Sequence, residues 1–172
     1  QAPVVEGLLL EGGLYMLAAR PKTGKSLVLL NLALSVTLGS RWLGRRVSKG
    51  TVLYFLLEDS PYTFRSRIRA MAPTGVTNDF LVHVGAFKLV EDNYLATVSS
   101  CDEATIIIVD PVIQTTEIKD WNSASDVRDG LNLWRRVARD IDAPVLLAAH
   151  HRKAEGEHGD QVSGSSQALA TV

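Results

Sequence analysis

The chain has 172 residues, 46% of them hydrophobic and 22% charged, with a formal net charge of −1. That size and composition fit a single compact domain with a sizeable core and exclude a disordered chain, while the near-zero charge excludes a strong global attraction to nucleic acid. The single cysteine, Cys101, excludes an internal disulfide and a cysteine-based zinc site, which suits a reducing compartment. No apolar run approaches the ~20 residues of a membrane span, and the N-terminus lacks a basic signal region. A cytoplasmic protein with no membrane partner is expected.

In chain order, residues 1–13 read as an entry segment closed by a turn at Gly12-Gly13. Leu14 to Ala19 is a short apolar run expected to be a buried strand. Arg20-Pro21 stops it, because proline confines the residue before it to extended geometry. After Thr23-Gly24-Lys25-Ser26, the run from Leu27 to about Leu38 reads as a buried helix ended by Gly39. A strand, a Gly-Lys-Ser loop and a helix in that order are what a phosphate-binding loop requires. The candidate nucleotide-binding set is Ala19, Arg20, Pro21, Lys22, Thr23, Gly24, Lys25, Ser26 and Leu27. Backbone N–H groups of such a loop wrap phosphates, Lys25 reaches the β- and γ-phosphates of ATP, and the Ser26 hydroxyl ligates Mg²⁺. The loop departs from the usual pattern at its first position, where Ala19 replaces glycine. An alanine is tolerable there if its φ stays negative; the Gly24 position tolerates one less readily.

Ser40 to Gly50 reads as a basic loop with Trp42-Leu43 as a hydrophobic anchor. Thr51 to Leu57 is apolar at nearly every position, as a parallel strand covered on both faces should be. It ends in Glu58-Asp59-Ser60-Pro61, where Ser60 is placed to cap a helix from Pro61 to Met71. Phe80 to Val84 is expected as a third strand and Leu95 to Val98 as a short helix. Thr105 to Val109 is a fourth strand ending at Asp110-Pro111. Val127, Leu131, Trp134, Ala138 and Ile141 recur at helical spacing, which predicts one helix from about Ser125 to Ile141. Pro144 to Ala149 is a fifth strand ending in His150-His151, and residues 154–166 read as a mobile Gly/Ser-rich acidic stretch.

Strands alternating with helices imply right-handed crossovers and a parallel sheet between helical layers. Ligands gather at the carboxyl ends of such strands. Asp110, following four apolar β-branched residues, is the candidate to hold Mg²⁺ opposite Ser26, against the plainer role of a turn aspartate. Glu58 is the candidate to orient the attacking water, with Asp59 better suited to capping the next helix. His150 and His151 point to opposite faces if both lie on a strand, which argues against one shared metal ion. Either could instead bond the γ-phosphate and pass its loss to the following loop.

These residues resemble the RecA-like ATPases, and within them the RepA-type hexameric helicase and replication-protein family of plasmids and phages. The likeness rests on ARPKTGKS, VLYFLLEDS with RSRIRAM, IIIVDP, NSASDV, and LLAAHHRK followed by GSS. It implies a RecA-like P-loop αβα sandwich with a mostly parallel central sheet. It implies Lys25 and Ser26 at the phosphates and magnesium, Glu58 as catalytic carboxylate and Asp110 as the Walker B acid. It also implies a histidine as γ-phosphate sensor, aligned on His151 with His150 as the alternative. The family places the sensor strand between the P-loop strand and the Walker B strand.

The resulting expectation is Mg-dependent ATP hydrolysis by a homo-hexamer or other ring acting on single-stranded DNA in replication or repair. The family's further strands and arginine finger would lie past Val172, so residues 1–172 are expected to be one ATPase core truncated at its C-terminus. The 154–166 stretch carries Glu155, Glu157 and Asp160 and no Lys or Arg, which tells against DNA. Two other readings are a nucleotide-switched oligomerising module that does not move along DNA and a P-loop small-molecule kinase. The kinase is disfavoured because no arginine-rich lid segment follows the third strand.

Overall fold

The computed structural model describes residues 2–150. A small antiparallel hairpin, β1 (Pro3–Val5) and β2 (Leu9–Leu10), precedes the main sheet. The sheet has five parallel strands: β3 (Leu14–Ala19), β4 (Thr51–Leu56), β5 (Phe80–Val84), β6 (Ala104–Asp110) and β7 (Val145–His150). Their order is β3-β7-β6-β4-β5. The strand carrying His150 thus lies between the loop strand β3 and the Asp110 strand β6, as the family resemblance implied.

Two apolar layers cover the sheet. Helices α1 (Lys25–Leu38) and α2 (Pro61–Met71) and the hairpin bury one face, through Leu29, Leu30, Leu32, Tyr54, Phe64 and Ile108. The other face lies under α3 (Tyr94–Cys101), α4 (Ala124–Gly130) and α5 (Asn132–Asp140), around Phe55, Ile107, Val109, Trp134 and Leu147. Neighbouring residues of β4 and β6 feed different layers, which is why those strands read as unbroken apolar runs.

The helix ends follow from their capping residues. Gly39 adopts the left-handed conformation (φ 69°) and its N–H bonds the Val36 carbonyl at the end of α1. The Ser60 hydroxyl accepts from the Thr63 N–H, and Pro61 opens α2 with its fixed φ.

Three expectations change. The hairpin in residues 1–13 carried no signal, since strands of three and two residues cannot show a period. The single helix over 125–141 is two, because the backbone tightens at Leu131 (φ −94°, ψ −2°). Gly130 just before it lies so close to Ile118 that a Cβ would sit 2.3 Å from the Ile118 side chain; the glycine admits that contact but weakens the helix. Of the Trp42-Leu43 pair only Trp42 is an anchor, being buried, whereas Leu43 is 75% exposed with φ 48°. Residues 151–172, including His151, Arg152 and the 154–166 stretch, lie outside the described residues.

Candidate nucleotide-binding site

The loop between β3 and α1 is built for an anion. Gly24 caps α1 with φ 89° and supplies no side-chain acceptor, and the first turn of α1 holds no acidic residue. The leading N–H groups and positive dipole end of the helix therefore face outward without internal neutralisation. No atom lies within 4 Å of where a Gly24 Cβ would be, so glycine is needed there for its backbone angle and not for space. Lys22 also adopts positive φ (63°), and the Thr23 hydroxyl ties the loop by donating to the Arg20 carbonyl at 2.8 Å. Ala19 meets the condition set by its sequence position: it is the last extended residue of β3, paired with His150, and its φ is not positive.

Lys25 is only 7% exposed despite its charge. Its Nζ donates to the Ala149 carbonyl (3.1 Å) and lies 3.3 Å from His150 Nδ1. Burial pushes its pKa down, opposed by the nearby carboxylates of Asp110 and then Glu58. An ammonium can only donate, so His150 Nδ1 must accept. The proton then sits on Nε2, which lies 3.3 Å from Glu58 Oε2 and donates to it. The partners thus set which ring nitrogen of His150 accepts and which donates, and make a chain from Lys25 through His150 to Glu58.

Strand register explains how these groups meet. Leu56 of β4 pairs with Asp110, and Val109 pairs with Leu147 of β7. Asp110 is the end of β6, whereas His150 lies three residues past Leu147 and Glu58 two past Leu56. Past the end of β6, β7 runs on to His150 and the chain leaving β4 runs on to Glu58, and the two side chains reach toward each other over that end. Asp110 forms the floor of this notch, 7% exposed, on the face shared by Ile108 and α1.

The donor set fits magnesium. Asp110 and Ser26 offer a carboxylate and a hydroxyl, both hard oxygen ligands, and Ser26 makes no side-chain hydrogen bond within the described residues. Among those residues no cluster of three or more His, Cys, Asp or Glu could cage a metal. An incomplete oxygen set completed by phosphates and water is how Mg²⁺ is usually held.

Asp59 pairs with Arg67 of α2. Ser60, not Asp59, caps that helix. One contact escaped the sequence reading. Tyr54, fully buried in β4, donates its hydroxyl to Asp110 Oδ2 at 2.9 Å. The available signal was a tyrosine inside a strand covered on both faces, since a buried phenol needs a partner.

A parallel αβα sandwich with a Gly-Lys-Ser loop at the carboxyl ends of its strands defines a P-loop nucleotide-hydrolysing domain. The profile of the AAA domain matches residues 1–156, and the chain belongs to that family of P-loop ATPases. No curated protein matches the chain. Among the described residues no helix is long and apolar enough to cross a membrane.

Proposed function

We propose that this chain is the catalytic core of a RepA-type, RecA-like ring ATPase that hydrolyses ATP with Mg²⁺ and acts on single-stranded DNA. The observation that carries the reading is the Lys25–His150–Glu58 chain, set over Asp110 beside an uncapped helix N-terminus. Lys25 exchanges its bonds to the Ala149 carbonyl and His150 for the β- and γ-phosphates. Ser26 and Asp110 hold magnesium, which when bound neutralises charge on the phosphate oxygens. Glu58 orients the attacking water and accepts its proton.

His150 is the γ-phosphate sensor in this reading, in preference to His151, because its ring already touches both Lys25 and Glu58. Arrival of the phosphate at Lys25 leaves Nδ1 without its donor, and that change passes through the ring to Glu58. The DNA and ring elements rest on the sequence resemblance.

The test is nucleotide binding and turnover, with and without single-stranded DNA. Lys25→Ala should lose nucleotide affinity, because the phosphates lose their positioned cation. Glu58→Gln should bind ATP as the parent does and turn it over about 10²-fold more slowly, or slower still. Parental turnover in Glu58→Gln overturns the assignment. Full turnover that single-stranded DNA does not stimulate replaces the DNA motor with the nucleotide-switched module.

A further inference from the structure

Asp110 can serve a cation only if its carboxylate presents the right oxygen, and the structure shows what sets that orientation. Tyr54 lies on the α1 face of β4, paired in register with Ile108 of β6. Asp110 follows Ile108 by two residues and shares that face, so the phenol extends toward the strand end and meets the carboxylate there. Its hydroxyl donates to Oδ2 at 2.9 Å, while Oδ1 takes no hydrogen bond within the described residues. The ring is fully buried and held by Phe64, with centroids 4.9 Å apart, and by Phe80 at 6.5 Å. A phenylalanine would fill the same space, so the hydroxyl adds one thing to the fold, a proton pointed at a single oxygen of Asp110. Burial first, and the Asp110 charge next, push the Tyr54 pKa well above its usual value.

We propose that Tyr54 is a positioning residue for the magnesium site: it occupies Oδ2 of Asp110 and turns Oδ1 toward the cation. The inference rests on the assignment of Asp110 to magnesium made above, and it adds a determinant from a strand that carries no metal ligand. Groups that orient a metal-bound carboxylate typically contribute 10–100-fold to metal affinity. The hydroxyl should therefore govern how much Mg²⁺ the nucleotide complex needs, and leave metal-free nucleotide binding alone.

The experiment follows a fluorescent ATP analogue binding to the full chain across a Mg²⁺ titration, with a parallel series in EDTA. Tyr54→Phe should raise the Mg²⁺ midpoint about 10–100-fold while its affinity in EDTA equals the parent's. Phe80→Leu loosens the ring packing but keeps the hydroxyl, and should leave the midpoint where it was. Asp110→Asn is the separate test of the underlying assignment and should abolish the Mg²⁺ response. If Asp110→Asn titrates like the parent, the metal reading itself fails. If Asp110→Asn responds as expected but Tyr54→Phe keeps the parental midpoint, Tyr54 has no positioning role and the metal reading stands. A Tyr54→Phe defect of equal size with and without Mg²⁺, or a matching shift in Phe80→Leu, assigns the effect to packing and overturns the proposal. Should Tyr54→Phe not fold, 4-fluorophenylalanine at position 54 fills the hydroxyl's place with no proton to donate, and a parental midpoint there overturns the proposal too.

Discussion

Thr115→Val isolates one buried hydrogen bond behind the Asp110 strand end. Thr115 is fully buried; its hydroxyl donates to the Val112 carbonyl (2.8 Å) and accepts from Trp134 Nε1 (2.9 Å). Valine keeps the shape, so no cavity opens. The Val112 carbonyl keeps a donor, the Thr115 N–H, at 2.8 Å. The indole N–H of Trp134 has no substitute, because the ring is fully buried and faces Phe55 edge-on, with centroids 5.6 Å apart. An orphaned buried donor costs about 1–3 kcal/mol, which for a chain of this size lowers Tm by roughly 2–4 °C per kcal/mol, about 4–8 °C at the middle of that range. Urea unfolding followed by circular dichroism should show a lower midpoint at unchanged slope. In a Trp134→Phe background, where no donor remains, the same substitution should cost less than about 0.5 kcal/mol. Equal costs in both backgrounds would refute the reasoning, because the penalty would then not come from the indole.

The remaining expectations concern the loop and the core. Gly24→Ala meets no neighbour, so its cost is backbone strain of about 1–2 kcal/mol, and relaxing that strain moves the Lys25 N–H; nucleotide affinity, read by calorimetry, should fall. Ala19→Gly, at an extended position, should leave that affinity unchanged and cost at most about 1 kcal/mol of stability. Cys101 has its thiol pushed from 9.0 to about 11, by burial first and the Asp102 charge second. A raised folded pKa means stability is full below pH 9 and is lost as pH rises through about 11, a fall of about 3 kcal/mol. Denaturant midpoints across that range should decline in the parent and less steeply in Cys101→Ala, where the raised phenols of Tyr54 and Tyr94 remain; identical slopes would remove Cys101 as the cause.

How far the sequence could be read follows from the range of each signal. The loop strand, α1, β4, β6 and their polar ends are local patterns, and the rule that ligands gather at carboxyl ends was enough to group Lys25, Glu58, Asp110 and His150. The Tyr54–Asp110 contact joins residues 56 positions apart, and nothing within TVLYFLL indicates which carboxylate the phenol will find. The histidines pose the same difficulty at closer range. A shift of one residue turns a strand side chain to the opposite face, and the pairing of Ala19 with His150 is what puts the His150 ring beside Lys25. The break at Leu131 stayed hidden because α4 and α5 continue one apolar stripe, while the contact that marks the break is with Ile118 in a preceding loop.

The end of β6 is where fold and chemistry constrain each other most. Asp110 is both the last residue of that strand and the floor of the notch, and its backbone carbonyl still accepts from the Leu57 N–H at 3.1 Å. The floor is thus tied to β4 twice, by this backbone bond and by the Tyr54 hydroxyl. The rim is different: Glu58 lies past the end of β4, the side chains of Glu58 and His150 are exposed, and the His150 ring is held only by long contacts of 3.3 Å to Lys25 and Glu58. A metal-binding oxygen must keep its place through every state of the nucleotide, and rigid strand pairing serves that need. A group that responds to the γ-phosphate must change partners when it arrives, and it can do so only if its existing bonds are few and weak. The division between a floor tied to β4 and an exposed rim of long side-chain contacts therefore follows from where β6 stops. A one-residue insertion before Asp110 would turn its carboxylate to the α5 face, away from Tyr54 and Lys25 together.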